Sequence, residues 1–247
     1  MKAIILCAGY AVRLYPLTLN TPKALLEVSR KPVLNYILEK IEEISKVDEI
    51  LVVTNARFYE NFKQWKEKYQ NCFSKEIYLV NDLTESNETR LGGIGDLDFT
   101  ISQEKIHEDV LIVLGDNLFD CSLREISNFF ESKKETIIGV HDIKDLEQAK
   151  RFGVLEVKEN KVISMQEKPA EPKSSLISTG IYFIPKEDLH FVKEYINTGL
   201  PRDGPGNLFS YLSQKKQILA YEIKGRWYDI GTPETYKEVN EFWSKQK

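Results

Sequence analysis

The feature that most restricts what this chain can fold into is an alternation of short apolar runs with amphipathic segments across its first two-thirds. Lys2–Cys7, Glu49–Thr54, Ile77–Val80, Val110–Leu114 and Thr136–Val140 read as buried strands. Between them, Val33–Ile44 places apolar residues at 33, 34, 37, 38, 41 and 44, which is helical spacing. Tyr59–Tyr69 and Leu123–Ser132 read as two further helices. Strands that alternate with helices form βαβ units around a largely parallel sheet. The crossovers are right-handed, so the expected result is an open, doubly wound α/β sheet. After Gly153 the pattern changes. A hairpin is predicted from 153–157 and 161–166 around Glu159-Asn160, followed by a strand over 177–184. Helices over 186–196 and 208–215, a strand over 218–223 and a closing helix over 234–243 complete the chain. No Pro-, Gly- or Ser-rich linker interrupts it. One domain over 1–247 is expected, with 1–142 and 143–247 as its two halves.

Composition removes several function classes. The formal net charge of −4 argues against a nucleic acid polymer, which normally needs a basic surface. Small anionic substrates stay open, since a few local cations suffice for them. Cys7, Cys72 and Cys121 show no CxxC spacing, so neither a disulfide framework nor a zinc site is indicated. No apolar run reaches the length of a membrane span, and the run after Met1 is too short for a signal-peptide core. A cytoplasmic protein with no membrane partner is the expectation. His107, His141 and His190 lie outside every motif and read as surface or structural residues.

The loop after the first strand, Ala8-Gly9-Tyr10-Ala11-Val12-Arg13, is built of mostly small residues. In open α/β sheets, ligands bind beyond the carboxyl ends of the strands. Small residues there let backbone N–H groups approach phosphate oxygens. Arg13 and Lys23 add two cations, one a planar fork and one a mobile point charge. The loop is neither GxxxxGK[ST] nor GxGxxG. Asp116 in Gly115-Asp116-Asn117 and Asp229 in Trp227-Tyr228-Asp229-Ile230-Gly231 each follow an apolar run. Such a pair suits Mg²⁺, which takes one or two carboxylates plus substrate phosphates and water. Taken singly, each aspartate is equally well read as a turn or helix-capping residue.

Leu6, Gly9, Arg13, Leu14, Pro16, Leu17, Thr18, Pro22, Lys23, Leu25 and Val28 fall in one ordered pattern, and Lys31-Pro32-Val33-Leu34 continues it. This stretch resembles the signature of the sugar-phosphate nucleotidyltransferases, the family of glucose-1-phosphate thymidylyl- and uridylyltransferases. Gly115-Asp116-Asn117, Phe152-Gly153-Val154, Glu167-Lys168-Pro169, Thr179-Gly180-Ile181-Tyr182 and Asp229-Ile230-Gly231-Thr232-Pro233-Glu234 resemble further family motifs, in the family's order. Ala8 and Ala11 stand where glycines are usual, and Val12 where threonine is usual. Alanine tolerates positive φ poorly, and Val12 offers no hydroxyl to a phosphate.

The resemblance implies a Rossmann-like fold whose β-rich elaboration binds the sugar. It implies transfer of a nucleoside monophosphate from an NTP (UTP, dTTP or CTP) to a sugar 1-phosphate, with release of pyrophosphate. By that likeness Arg13 and Lys23 are catalytic, and Asp116 and Asp229 hold Mg²⁺. Leu6, Ala8, Gly9, Tyr10, Ala11, Val12, Asn87 and Gly92 would line the nucleotide, with Asn87 as an amide that reads a pyrimidine edge. Asn117, Gly153, Glu167, Lys168 and Gly180 would line the sugar phosphate. Homo-oligomers are common in the family. Three rival readings carry over: cytidylyl transfer to a phosphorylated alcohol such as phosphocholine, a glycosyltransferase that uses a nucleotide-sugar, and a catalytically inactive nucleotide-sugar-binding regulatory subunit.

Overall fold

The computed structural model describes residues 1–245. In chain order the elements are β1 (Lys2–Leu6), β2 (Glu27–Val28), β3 (Lys31–Pro32), α1 (Val33–Glu42), β4 (Glu49–Thr54), α2 (Tyr59–Tyr69) and β5 (Glu76–Asn81). They continue with α3 (Gly93–Gln103), β6 (Val110–Leu114), β7 (Asn117–Phe119), α4 (Leu123–Lys133), β8 (Ile137–Asp142) and α5 (Leu146–Ala149). The last are β9 (Gly153–Lys158), β10 (Lys161–Glu167), β11 (Leu176–Ile184), α6 (His190–Asn197), α7 (Gly206–Lys215), β12 (Leu219–Glu222), β13 (Trp227–Asp229) and α8 (Pro233–Ser244). Short 3₁₀ turns at Val12–Leu14 and Lys23–Leu25 carry the two predicted cations. Among the described residues, no helix is long and apolar enough to cross a membrane.

The chain forms two compact units that interleave in sequence. The first comprises Met1–Arg90, Val113–Arg124 and Gly225–Lys247. Its sheet is parallel, with β1 paired to β4 from Lys2↔Glu49 and β4 to β5 from Glu49↔Glu76. Both faces of these strands are apolar, as parallel strands require, and Ile4, Ile5, Val52 and Val53 are fully enclosed. The predicted apolar stripe of α1 is buried at Leu34, Ile37, Leu38 and Ile41. From α2, Phe62 and Trp65 enter the core, and the Trp65 Nε1–H donates to Asn35 Oδ1 at 2.8 Å. A buried indole N–H without such an acceptor would carry a desolvation cost.

The second unit comprises Leu91–Ile112 and Glu125–Lys224 and is mainly antiparallel. Its strands run β11-β8-β12-β10-β9, and β9 also meets β11 at Val154↔Ile177, so the five strands close on themselves. The β9–β10 hairpin turns at Glu159 (φ 50°) and Asn160 (φ 63°). Two central residues at positive φ make the two-residue turn whose twist suits a hairpin.

The structure differs from the sequence reading in several elements. Helix α3 is not among the helices expected from the sequence, and Gly93 and Gly95 within it disfavour one. Its first turn is held by tertiary bonds instead, since Gly93 N–H and Ile94 N–H donate to the carbonyls of Asp203 and Arg202. The helix expected over 186–196 is divided into a 3₁₀ turn at Lys186–Asp188 and α6. The β7–β13 ribbon, three residues on each strand, was not anticipated.

Gly115, at the end of β6, lies against β1, and its N–H donates to Leu6 O at 3.0 Å. A Cβ there would stand 2.3 Å from Cys7 Sγ and 3.1 Å from Leu6 O. Gly115→Ala should therefore lower stability by about 2 kcal/mol, within the range for overpacked cores. If Cys7 Sγ is the obstacle, Cys7→Ala should recover at least about 0.5 kcal/mol of that loss in a double-mutant cycle followed by urea denaturation.

Candidate active site

Within the first unit, three segments distant in sequence bring Lys23, Asp116 and Asp229 together. Lys23 stands on the 3₁₀ turn that follows Pro22, whose fixed φ sets the turn's entry. Asp116 lies in the turn between β6 and β7. Asp229 ends β13, where it pairs with Asn117 across the ribbon, and Ile230 N–H donates to Asp116 O at 3.1 Å. The ribbon therefore sets Asp116, one residue before Asn117, diagonally next to Asp229. Lys23 Nζ is 2.8 Å from Asp116 Oδ2 and 3.6 Å from Asp229 Oδ1. The Lys23 side chain is only 13% exposed, so this double ion pair sits in a partly desolvated place. Coulomb forces there exceed those at an open surface.

The small-residue loop lies in the same unit. Among the described residues, the backbone N–H groups of Ala8, Gly9, Ala11, Val12 and Arg13 meet no protein acceptor. These are the donors a phosphate would need. Ala11 has φ 48° and ψ 42°, so the loop keeps a left-handed residue at the position where glycine is usual in the family. Its carbonyl accepts from Leu14 N–H at 2.9 Å and from the buried Thr18 hydroxyl at 2.8 Å. Arg13 is exposed and, among the described residues, forms no ion pair. Leu6 and Ala8 are buried, while Gly9 is open. Burial, with the Asp116 charge as a lesser cause, pushes the Cys7 thiol well up, so Cys7 is no thiolate nucleophile.

A polar network braces this loop from below. Asn55 Nδ2 donates to Ala8 O at 2.8 Å, and Asn55 Oδ1 accepts from Phe58 N–H. The buried Tyr10 hydroxyl meets Thr84 Oγ1 at 3.0 Å, and the Thr84 hydroxyl and N–H both donate to Asp82. Sequence reasoning missed Asn55, Asp82 and Thr84. The spacing Asp82-Leu83-Thr84 is a local Asx pattern that could have been noticed. Asn87 lies in a turn over 86–89 with its carbonyl accepting from Arg90 Nη1. Asn117 is buried within β7.

The second unit holds the remaining residues. Gly92 precedes α3 at φ 78°. Gly180 has φ 74° and sits where the β11–β8 register shifts between Ser178 and Tyr182, which is a strand irregularity of the kind glycine allows. Gly153 faces Glu167 across the hairpin. Lys168 adopts φ 47° just past β10, and its Nζ stands 3.6 Å from Glu167 Oε1. A left-handed non-glycine residue is costly and tends to persist where surroundings over-determine it. The Lys168 N–H to Phe152 O bond at 2.9 Å is one such restraint. Glu167 is 14% exposed. Its carboxylate rests against Gly204 and Gly206, where an added Cβ would lie 2.5 Å from Oε1 and 2.0 Å from Oε2. Sequence reasoning missed these two glycines. Burial raises the Glu167 carboxyl above its ordinary value of 4.5, with Lys168 opposing the shift.

The family model described as nucleotidyl transferase matches residues 2–246. The chain belongs to the nucleotidyl transferase family. It is 30% identical over 98% of its length to the bifunctional protein GlmU of Methanocaldococcus jannaschii. It is 31% identical over 97% of its length to a candidate mannose-1-phosphate guanyltransferase of Sulfolobus acidocaldarius. The chain spans 54% and 62% of those relatives' own lengths. Among solved structures, a candidate glucose-1-phosphate thymidylyltransferase from Bacillus anthracis superposes with a TM-score of 0.84 at 25% identity, covering 99% of this chain and 95% of that one. A UDP-glucose pyrophosphorylase superposes at 0.82 with 21% identity, covering 100% of this chain and 99% of that one, and shares the fold. The Rossmann-like α/β class expected from the strand–helix alternation is the class of these neighbours.

In this nucleotidyl transferase, Glu167 makes a testable contribution to stability. A carboxyl raised on folding binds more protons in the native state than in the unfolded one, so stability falls as pH climbs above 4.5. Glu167→Gln removes that buried charge. Urea denaturation should show the variant more stable than the parent at neutral pH, with the gap closing toward about pH 4.

Proposed function

We propose that this chain transfers a nucleoside monophosphate from an NTP to a sugar 1-phosphate. The observation that carries the reading is the convergence of Lys23, Asp116 and Asp229 in the unit that also holds a loop of unengaged backbone donors. The relatives' names supply the acceptor class, since they include a guanyltransferase for mannose 1-phosphate. A pyrimidine triphosphate (UTP, dTTP or CTP) is the proposed donor, with Asn87 as the amide reading its edge. The finer assignments of Gly153, Glu167, Lys168 and Gly180 to the sugar phosphate belong to the same proposal.

Asp116 and Asp229 fit a divalent cation: two hard oxygens, one from the β6–β7 turn and one from the end of β13, already face one common positive atom. They would hold Mg²⁺, and the ion would supply charge neutralisation on the triphosphate. Two carboxylates are a sparse ligand set, as expected where substrate phosphates complete the shell.

The chain's own residues account for the rest. A sugar-phosphate oxygen attacks the α-phosphorus, the bond from that phosphorus to the bridging oxygen breaks, and pyrophosphate leaves with the electron pair. A phosphate monoester is already a competent nucleophile, so no Ser, Cys or His needs activation. The loop N–H groups of Gly9 and Ala11–Arg13 bind phosphate oxygens, and Arg13 adds its fork to the leaving pyrophosphate. Lys23 neutralises charge on the α-phosphate, and Lys168 holds the nucleophile. Catalysis is then positioning and charge stabilisation.

The test is pyrophosphate release with Mg²⁺, with each NTP set against a panel of sugar 1-phosphates and phosphocholine. Release with one pyrimidine NTP and one sugar 1-phosphate is the expected result. Release confined to CTP and phosphocholine would move the acceptor to a phosphorylated alcohol. Lys23→Ala and Asp116→Ala should each lower turnover about a hundredfold, roughly 3 kcal/mol of barrier. Unchanged turnover at saturating substrate would remove those residues from the mechanism.

A further inference from the structure

On the reading above, we propose that Lys23 is the resting counter-ion of the metal site. In the nucleotide-free protein its ammonium takes the place a divalent cation would occupy between Asp116 and Asp229. It yields that place when a triphosphate or the metal draws it away.

The geometry leads there directly. Nζ lies 2.8 Å from one carboxylate oxygen and 3.6 Å from the other. Mg²⁺ bound to either oxygen would sit at about 2.0–2.1 Å from it. A dication that close to the same oxygens would stand beside the ammonium, and the two positive charges repel while competing for the same two carboxylates. The Lys23 backbone cannot drift away with its charge. It is pinned by Leu26 N–H to Lys23 O at 3.1 Å and by Leu25 N–H to Pro22 O at 2.9 Å. The side chain, at 13% exposed, can only re-aim. The α-phosphate proposed for Lys23 gives the ammonium a new anionic partner as it releases the aspartates.

The arrangement also answers a problem of charge. Asp116 and Asp229 are held diagonally adjacent by backbone pairing, and two like charges at that spacing repel. The ammonium neutralises one of them at rest. It also couples the ligands: a triphosphate that attracts Lys23 frees both carboxylates for the metal, and by linkage the metal favours the triphosphate. Part of the cooperativity between nucleotide and metal would then reside in a side chain, in addition to their direct contact.

The test is Mn²⁺ binding to the nucleotide-free protein, followed by electron paramagnetic resonance. Lys23→Met keeps the stem and loses the charge, and it should bind Mn²⁺ at least tenfold tighter than the parent. Arg13→Met loses a charge from the neighbouring loop without an ion pair to either aspartate, and it should stay within about twofold of the parent. Adding Asp229→Asn to Lys23→Met should abolish the gain. Equal affinity of Lys23→Met and the parent, or an equal gain in Arg13→Met, would overturn the proposal. A second measurement needs no variant. Reductive methylation of the parent, read by mass spectrometry, should label Lys23 several-fold faster when Mn²⁺ is saturating, with Lys31 unchanged. Unaltered or slower labelling of Lys23 with Mn²⁺ bound would equally overturn it. Neither readout depends on turnover, so loss of this inference and loss of the nucleotidyl-transfer reading are told apart by the pyrophosphate assay.

Discussion

The double ion pair of Lys23 with Asp116 and Asp229 is the constraint around which the first unit is organised. None of the three residues is near another in sequence, so the pair exists only if three backbone segments are fixed independently. The β7–β13 ribbon fixes the aspartates through the Asn117↔Asp229 pairing and the Ile230 N–H to Asp116 O bond. Helix α8 follows at once, begun by a reciprocal cap in which Thr232 and Thr235 bond each other's backbone. That helix returns to the lysine's side of the unit. The Tyr236 hydroxyl donates to Glu27 O at 2.7 Å, and Asn240 Oδ1 accepts from Ser29 N–H at 2.8 Å. The strand just after the Lys23 turn is thereby tied to the helix just after Asp229. Positioning of charges to within fractions of an ångström is what such bracing achieves.

The second unit solves a different problem with the same economy. Glu167 must be brought out of water without an ion partner strong enough to offset the loss, and its raised carboxyl records that imbalance. Gly204 and Gly206 make room for it by having no side chains. The same loop spends its Arg202 and Asp203 carbonyls on the first N–H groups of α3. Those donors are therefore satisfied by protein and are not open to an anion, although a helix start is ordinarily a phosphate site. The acidic side chain, the glycine loop and the start of α3 thus form one mechanical assembly.

How much of this was legible in the sequence depends on whether local pattern or distant contact decides. The parallel strands and the stripe on α1 were readable because burial on known periods is a local signal. The Glu159-Asn160 turn was readable for the same reason. Lys23, Asp116 and Asp229 could be named, but only the resemblance to a family joined them, since capping was an adequate account of each aspartate alone. Helix α3 was not readable: its glycines argue against it, and the carbonyls that hold it lie at Arg202 and Asp203. The three-residue ribbon has too few residues to carry a period. The Tyr10–Thr84–Asp82 brace needs residues from two different loops, and no spacing rule connects them.

The departures at Ala8, Ala11 and Val12 are informative for the same reason. An alanine in the left-handed region costs on the order of 1 kcal/mol relative to glycine. Ala11 nevertheless occupies it, with its carbonyl held by both Leu14 and Thr18. The loop's shape therefore does not depend on a glycine at that position; the buried Thr18 hydroxyl and the turn that follows impose it. Val12 is 45% exposed, so its missing hydroxyl leaves no unmet partner inside the protein. The same restraints leave five backbone donors of the loop unengaged by protein among the described residues. Strain held against the preference of the residue that bears it is a reason to propose a constrained binding loop here, and it bears equally on a catalytic and a regulatory nucleotide-binding chain.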